Sequence, residues 1–537
     1  MKKFVSLILA LILALSCTAA FAEGITPVIL EVEGGRIMGF HMGEVNVFKG
    51  IPYAQAERFE MPAPVTPWND IRACLNYSEV CPQHQYSNNA NDFASVSNYF
   101  VEDREENTFL TVNVWTKNTN PDVLKPVLFW IHGGGYGSGS SGELETYDGY
   151  NLTEFGDVVF VSVNHRLNYL GYMDLSAYGE DYKYTGNLGH ADLIAALEWV
   201  QRNISRFGGD PANVTIEGQS GGGSKVTQLM GMPAAQNLFA KAVVQSGGSA
   251  KVTRTTETAQ ASTAKLVSYL GLDKYSNEYI ISALKTMPYD DLYEACVASG
   301  VSYGATVDGD FYPTGTYEIS KDKPVIFSTV LGEFTTNAGW MTGKTYPKYL
   351  TDEQIATHYR SGITEEAAMA RIKETYGDRA QEVVDAYLKA YPTHEFKDLL
   401  YTTNRNNTMA TTMANYGNAN VFQCVQAYNM PYMGGTTAQH TAGDIPYWFR
   451  TIQHTDAKFM IYGDEECGLK VSNEMSQALV NFCYTGNPSQ DGLEWNAFTV
   501  ENGETMIWDR VSEVRGYHDK AYMELIAEIR AAQAAAK

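Results

Sequence analysis

Ser220 stands in the pentapeptide Gly218-Gln219-Ser220-Gly221-Gly222, between a β-prone run, Asn213–Glu217, and a stretch with helical character, Ser224–Met230. A serine on a sharp strand-to-helix turn presents its hydroxyl as a nucleophile, and the residues two before and two after it must be small enough to let strand and helix close. A second glycine-rich run, Trp130-Ile131-His132-Gly133-Gly134-Gly135-Tyr136-Gly137-Ser138-Gly139, follows the apolar segment Pro126–Trp130. Attack on an ester carbonyl puts negative charge on its oxygen, so donors must already point where that charge develops. The backbone N–H groups of Gly134 and Gly135, with that of Gly221 just after the serine, are the candidates for this oxyanion hole. Neither run is a phosphate-binding loop, because no Gly-Lys-Ser/Thr follows at the required spacing.

The elements around these residues alternate. Val28–Glu33, Val45–Phe48, Leu110–Trp115, Val127–Ile131 and Val158–Asn164 read as strands, and Asp192–Phe207 as a long helix. From about 255 to 400 the chain is helix-rich (Glu257–Leu270, Glu278–Met287, Asp352–Arg360, Thr364–Tyr376, Arg379–Tyr391), with one strand-like run, Pro324–Val330. Lys458–Tyr462 is either strand or helix, and Asp519–Ala536 is a closing helix. Strands alternating with helices predict an α/β class and a mostly parallel sheet, with the helical stretch as an insertion over one end.

The whole-chain numbers bound partners. With 537 residues, 44% apolar, the chain can bury a large core. A net charge of −23 argues against nucleic acid or an anionic lipid surface as a partner. Residues 1–22 have the layout of a cleavable secretory signal: Lys2-Lys3, an apolar run Phe4–Leu15, and Ala20-Phe21-Ala22 before Glu23. Ala14-Leu15-Ser16-Cys17 is a poor lipidation signal, so lipid attachment at Cys17 is the lesser alternative. No other stretch approaches a membrane span. Cleavage leaves six cysteines, of which Cys74 and Cys81 are near enough to close a small loop in an oxidising compartment. None has zinc-ligand spacing with histidine, so neither metal nor cofactor is expected.

With both motifs placed, the sequence resembles the type-B carboxylesterase/lipase family of α/β-hydrolases, the family of cholinesterases and bacterial para-nitrobenzyl esterases. The likeness runs nearly end to end. It rests on Phe48-Lys49-Gly50-Ile51-Pro52-Tyr53-Ala54 with Arg58-Phe59, Val80-Cys81-Pro82-Gln83, Gly186-Asn187-Leu188-Gly189, Phe207-Gly208-Gly209-Asp210-Pro211, Gln245-Ser246-Gly247 and Thr485-Gly486-Asn487-Pro488. The resemblance implies an α/β-hydrolase fold, a small-molecule ester as substrate, and a Ser–Glu–His triad. Glu333, in Val330-Leu331-Gly332-Glu333-Phe334, stands where the family carries its acid. His440 precedes Asp444-Ile445-Pro446-Tyr447-Trp448-Phe449 as the family's base does. There are departures. Gln219 and Gly221 replace the family's usual Glu and Ala, the acidic residue after His440 is one position late, and Phe109 replaces a cysteine, so the disulfide common in the family cannot form from Cys81. A catalytically silent binding protein is the competing class, although such family members typically lack the serine. A serine peptidase on the same fold is a third.

Overall fold

Runs such as Val127–Ile131 are apolar at every position, which suits a strand covered on both faces. In the computed structural model, which describes residues 26–84, 106–333, 352–353, 356, 360, 362–403, 408–431, 443–453 and 455–535, these runs form the centre of one thirteen-stranded sheet. The strands are β1 (Thr26–Val32), β2 (Gly35–Met42), β3 (Val45–Pro52), β4 (Arg72–Ala73), β5 (Thr111–Thr116), β6 (Lys125–Ile131), β7 (Val159–Val163), β8 (Gly209–Gln219), β9 (Lys241–Gln245), β10 (Val325–Val330), β11 (Val421–Gln426), β12 (Glu504–Trp508) and β13 (Glu513–Gly516). Their spatial order is β1-β2-β3-β5-β7-β6-β8-β9-β10-β11-β12-β13, with β4 paired to β2 off this path. From β7 to β12 every neighbour is parallel, whereas the pairs at both flanks are antiparallel, apart from the short β2–β4 pairing.

Alternation divides the core. On β6, Val127, Phe129 and Ile131 enter one apolar cluster, and Leu128 and Trp130 enter another. The first face is covered by α1 (Leu188–Asn203) through Leu193, Ala196, Leu197 and Val200, and by α2 (Gly221–Leu229) through Val226 and Leu229. A 21-residue helix, Glu465–Thr485, covers the second with Val471, Met475, Leu479 and Phe482. The sheet is therefore wrapped on both sides, as parallel sheets require.

The predicted helices between 255 and 400 include Thr256–Tyr269, Asn277–Thr286 and Glu365–Tyr376. Thr255, Ser276 and Thr364 cap them, each side chain accepting a backbone N–H of the first turn. The Asp352–Arg360 helix lies largely outside the described residues. The stretch read as strand or helix, Lys458–Tyr462, is helical: Thr455–Lys458 followed by a tight turn at Phe459–Ile461. Cys74 and Cys81 are both free thiols, so they do not close the small loop. Burial pushes the Cys74 thiol up to about 12.

Between the faces, Arg166 and Asp192 form a fully buried ion pair, with Arg166 Nε and Nη2 donating to Asp192 at 2.8 and 2.6 Å. It ties the loop after β7 to α1. Among the described residues, no helix is long and apolar enough to cross a membrane.

Candidate active site

Because β6, β8, β9 and β10 are parallel, their carboxyl ends share one edge of the sheet, where open α/β sheets place their ligands. Ser220 follows the last residue of β8 and precedes the first residue of α2. Its backbone, φ 54° and ψ −121°, lies in a region that non-glycine residues rarely adopt. The turn is held by the Ser220 N–H, which donates to Gln245 O at 2.8 Å. Glycine is needed at position 222, where a Cβ would lie 2.0 Å from the carbonyl oxygen of Ile131, the last residue of β6. The helix accordingly starts at Gly221, three residues before the start read from the sequence.

The strand register brings the second glycine run to the serine. Ile131 pairs with Gly218, so the loop that leaves β6 emerges beside the elbow. A Cβ on Gly133 would sit 3.5 Å from Ser220 Cβ, and one on Gly221 would sit 2.0 Å from Gly135 O. Gly134 and Gly135 take φ of 85° and 64°. Their N–H groups, and that of Gly221, meet no acceptor among the described residues. The structure thus gathers Ser220, Gly134, Gly135 and Gly221 into one small region.

Glu333 lies three residues past the end of β10, which stands two strands from β8 in the sheet. Glu333 is partly buried. Its N–H donates to Thr403 Oγ1 at 3.0 Å, and its Oε1 accepts the Val330 N–H at 3.3 Å. His440 lies outside the described residues. The segment it precedes is described: Asp444 is fully buried, and burial, reinforced by the neighbouring Glu333 carboxylate, raises its carboxyl to about 7. That interaction puts Asp444 near Glu333.

Three other histidines surround the glycine loop. His132 Nδ1 donates to Gly133 O at 2.9 Å, and its ring lies 4.8 Å from that of His165. Burial, with Lys225 nearby, lowers His132 and His190 to about 3 and His165 well below its ordinary value. Such rings stay neutral and are walled off by packing. Glu217, behind the elbow, accepts Gln245 Nε2 at 2.7 Å, and burial pushes its carboxyl well up.

Sequence reasoning passed over Lys225. It is fully buried, and its Nζ donates to Gly135 O at 3.0 Å. The signal was present: a helix that follows a nucleophile elbow is packed between sheet and loop, so a lysine inside its second turn has no route to water.

A nucleophile elbow on a parallel sheet, with a glycine loop over it, defines an α/β-hydrolase. The carboxylesterase family profile matches residues 26–525, and the chain belongs to that family. The chain is 30% identical over 494 residues to the para-nitrobenzyl esterase of Bacillus subtilis (strain 168), covering 90% of this chain and 94% of the relative. It is 27% identical to the phenmedipham hydrolase of Pseudarthrobacter oxydans, over 90% of this chain and 95% of that one. Among solved structures, an esterase of Clostridium hathewayi described as able to hydrolyse aliphatic aromatic polyesters superposes with a TM-score of 0.80 at 31% identity, over 94% of this chain and all of that one. The chain is a carboxylic ester hydrolase of α/β-hydrolase fold.

Proposed function

We propose that this carboxylesterase works through an acyl-enzyme intermediate on Ser220, with His440 as base, Glu333 as the acid that orients it, and Gly134, Gly135 and Gly221 as the oxyanion hole. The observation that carries this reading is the strained turn at Ser220 with the Gly133–Gly135 loop packed against it. The Ser220 hydroxyl is a weak nucleophile until a neutral imidazole takes its proton. Attack on the ester carbonyl forms the Ser220 Oγ–carbon bond and moves the π pair onto the carbonyl oxygen, where the three N–H groups receive it. Collapse expels the alcohol, which takes the proton from His440 and leaves the acyl group on Ser220. Water repeats the sequence, giving its proton to His440, and the carboxylic acid departs as Ser220 regains its hydrogen. Glu333 keeps the imidazole in the right tautomer and stabilises its cation.

The substrates are small carboxylic esters. The named activities of the relatives favour esters that carry an aromatic group, with p-nitrobenzyl esters and short aliphatic–aromatic polyester oligomers as first choices. Residues 1–22 are an export signal cut before Glu23, so the mature enzyme acts outside the cytoplasm, and residues 23–537 form one catalytic domain whose helical stretch at about 255–400 covers the site. A silent binding protein is disfavoured because serine and glycine donors are all in place.

Ser220→Ala should lower p-nitrophenyl ester hydrolysis by about 10⁴-fold or more and abolish labelling by a fluorophosphonate. Labelling retained in the variant would assign the nucleophile elsewhere. N-terminal sequencing of exported protein should begin at Glu23, and a lipid-bearing Cys17 would overturn the cleavage site.

A further inference from the structure

A loop of consecutive glycines has no side chains to hold it, and glycine samples both signs of φ with little preference. Something else must fix where its N–H groups point. In a trans peptide the N–H of one residue is directed opposite to the C=O of the residue before it, so the Gly133 and Gly134 carbonyls aim the Gly134 and Gly135 N–H groups, and the Gly135 carbonyl fixes the peptide plane that follows them. Each carbonyl in this loop is anchored. Gly133 O accepts His132 Nδ1–H at 2.9 Å, and Gly134 O accepts the N–H groups of Gly137 and Ser138, each at 3.2 Å. Tyr136 O accepts the Asn168 N–H at 2.6 Å, and the Tyr136 hydroxyl takes a hydrogen bond from Gln228 of α2. Gly135 O is anchored from α2, by the buried side chain of Lys225 at 3.0 Å.

Gly135 O is also the atom nearest the site of a Cβ at position 221, with Gly135 Cα 2.5 Å from the same point. The lysine therefore draws the loop onto the glycine-rich first turn of α2, with Gly135 against Gly221. Around the Lys225 ammonium stand the Glu143 carboxyl, the rings of His132, His165 and His190, and the Tyr136 ring, whose centroid is 5.6 Å away.

We infer that Lys225 is a positioning residue of this esterase: through the Gly135 carbonyl it sets the pose of the oxyanion loop over Ser220, and position 221 is glycine because that pose leaves no room for a Cβ. The inference rests on the assignment of the oxyanion hole proposed above. It explains two features together, the lysine five residues past the nucleophile and the replacement of the family's usual Ala by Gly221. Burial lowers the Lys225 ammonium to about 7, with Glu143 opposing the shift, as suits a cation kept out of water by this packing.

The test separates positioning from bulk structure by comparing a trifluoromethyl ketone, which forms a tetrahedral adduct with the serine, with the matched methyl ketone, which does not. Lys225→Met should lower kcat on a p-nitrophenyl ester by about 10- to 100-fold, with KM moved by less than about threefold. The trifluoromethyl ketone should weaken by a factor like that in kcat, and the methyl ketone should bind as before. Lys225→Gln keeps a donor and should recover part of the loss. A Lys225→Met enzyme with kcat within about twofold of wild type overturns the inference, as does equal weakening of both ketones. If Lys225→Met does not fold, Gly221→Ala, which retains the lysine, should give the same signature, and unchanged kcat there overturns it equally. Ser220→Ala runs alongside: activity surviving in that variant sinks the nucleophile assignment, whatever Lys225 shows.

Discussion

Asp444→Asn should make the protein more stable at neutral and alkaline pH, although it removes a buried polar group's charge and adds no contact. Asp444 is fully buried, and the neighbouring Trp448 indole and the backbone N–H groups of Asp444 and Ile445 offset that burial only in part. Its carboxyl rises from 3.8 to about 7, first because burial disfavours the charge and second because the Glu333 carboxylate is close. The sign follows from proton counts. Between those two values the folded chain holds a proton at Asp444 that the unfolded chain has released, so the contribution of Asp444 to stability is greatest below about pH 4 and falls as pH rises. At 1.36 kcal/mol per unit, a rise from 3.8 to about 7 amounts to about 4 kcal/mol, lost by the time the pH passes 7. Asparagine has nearly the same shape and does not titrate. Urea denaturation of both proteins at pH 4.5, 6 and 8 measures the effect. The variant's advantage should be small at pH 4.5 and reach about 4 kcal/mol at pH 8. Parallel stability curves would mean that Asp444 is ionised in the fold at ordinary acidity, and that a partner solvates it. Glu333→Gln should shrink the advantage only modestly, because burial is the larger cause.

Gly222→Ala should cost activity and stability together, since the added Cβ meets backbone oxygens of both Ile131, at 2.0 Å, and His132, at 2.8 Å. Overpacking against backbone costs about 1–3 kcal/mol, so the melting temperature should drop and fluorophosphonate labelling should slow by more than tenfold, about the loss given by one misplaced group. Arg166→Met strands the Asp192 charge in the core and should destabilise by about 3–5 kcal/mol in chemical denaturation, whereas Arg166→Met with Asp192→Leu should recover most of that loss.

The central strands were legible because a parallel strand covered on both faces needs apolar residues nearly throughout: Val127–Ile131 has them at every position and Val159–Val163 at all but Ser162. Strands with mixed composition escaped. β2, Gly-Arg-Ile-Met-Gly-Phe-His-Met, alternates poorly and is fixed by pairing with β1 and β3. β9 carries Lys241 and Gln245 at its ends and is specified by neighbours on either side. The 21-residue helix Glu465–Thr485 escaped for another reason: its buried stripe includes Gly468, Ser472 and Ser476, so small polar residues interrupt the apolar period. What makes it a helix is the sheet face it covers.

Around Ser220, the strained turn and the glycine loop could be read because turn geometry restricts those positions to a few residue types. Lys225 carries a weaker signal, its place in the second turn of the helix after Ser220, and local sequence does not show that it faces a carbonyl across a loop 90 residues away. The same limit applies to Gly221. Read alone it is a substitution that loosens the backbone beside the nucleophile; beside Gly135 it is a close contact that only glycine permits. Chemistry restricted to one turn is legible in sequence, and chemistry shared between two loops becomes legible once the strands have set them side by side. The pairing of Ile131 with Gly218 does that here: it sets the Gly133–Gly135 loop beside Ser220 and brings the Gly135 carbonyl to the buried lysine.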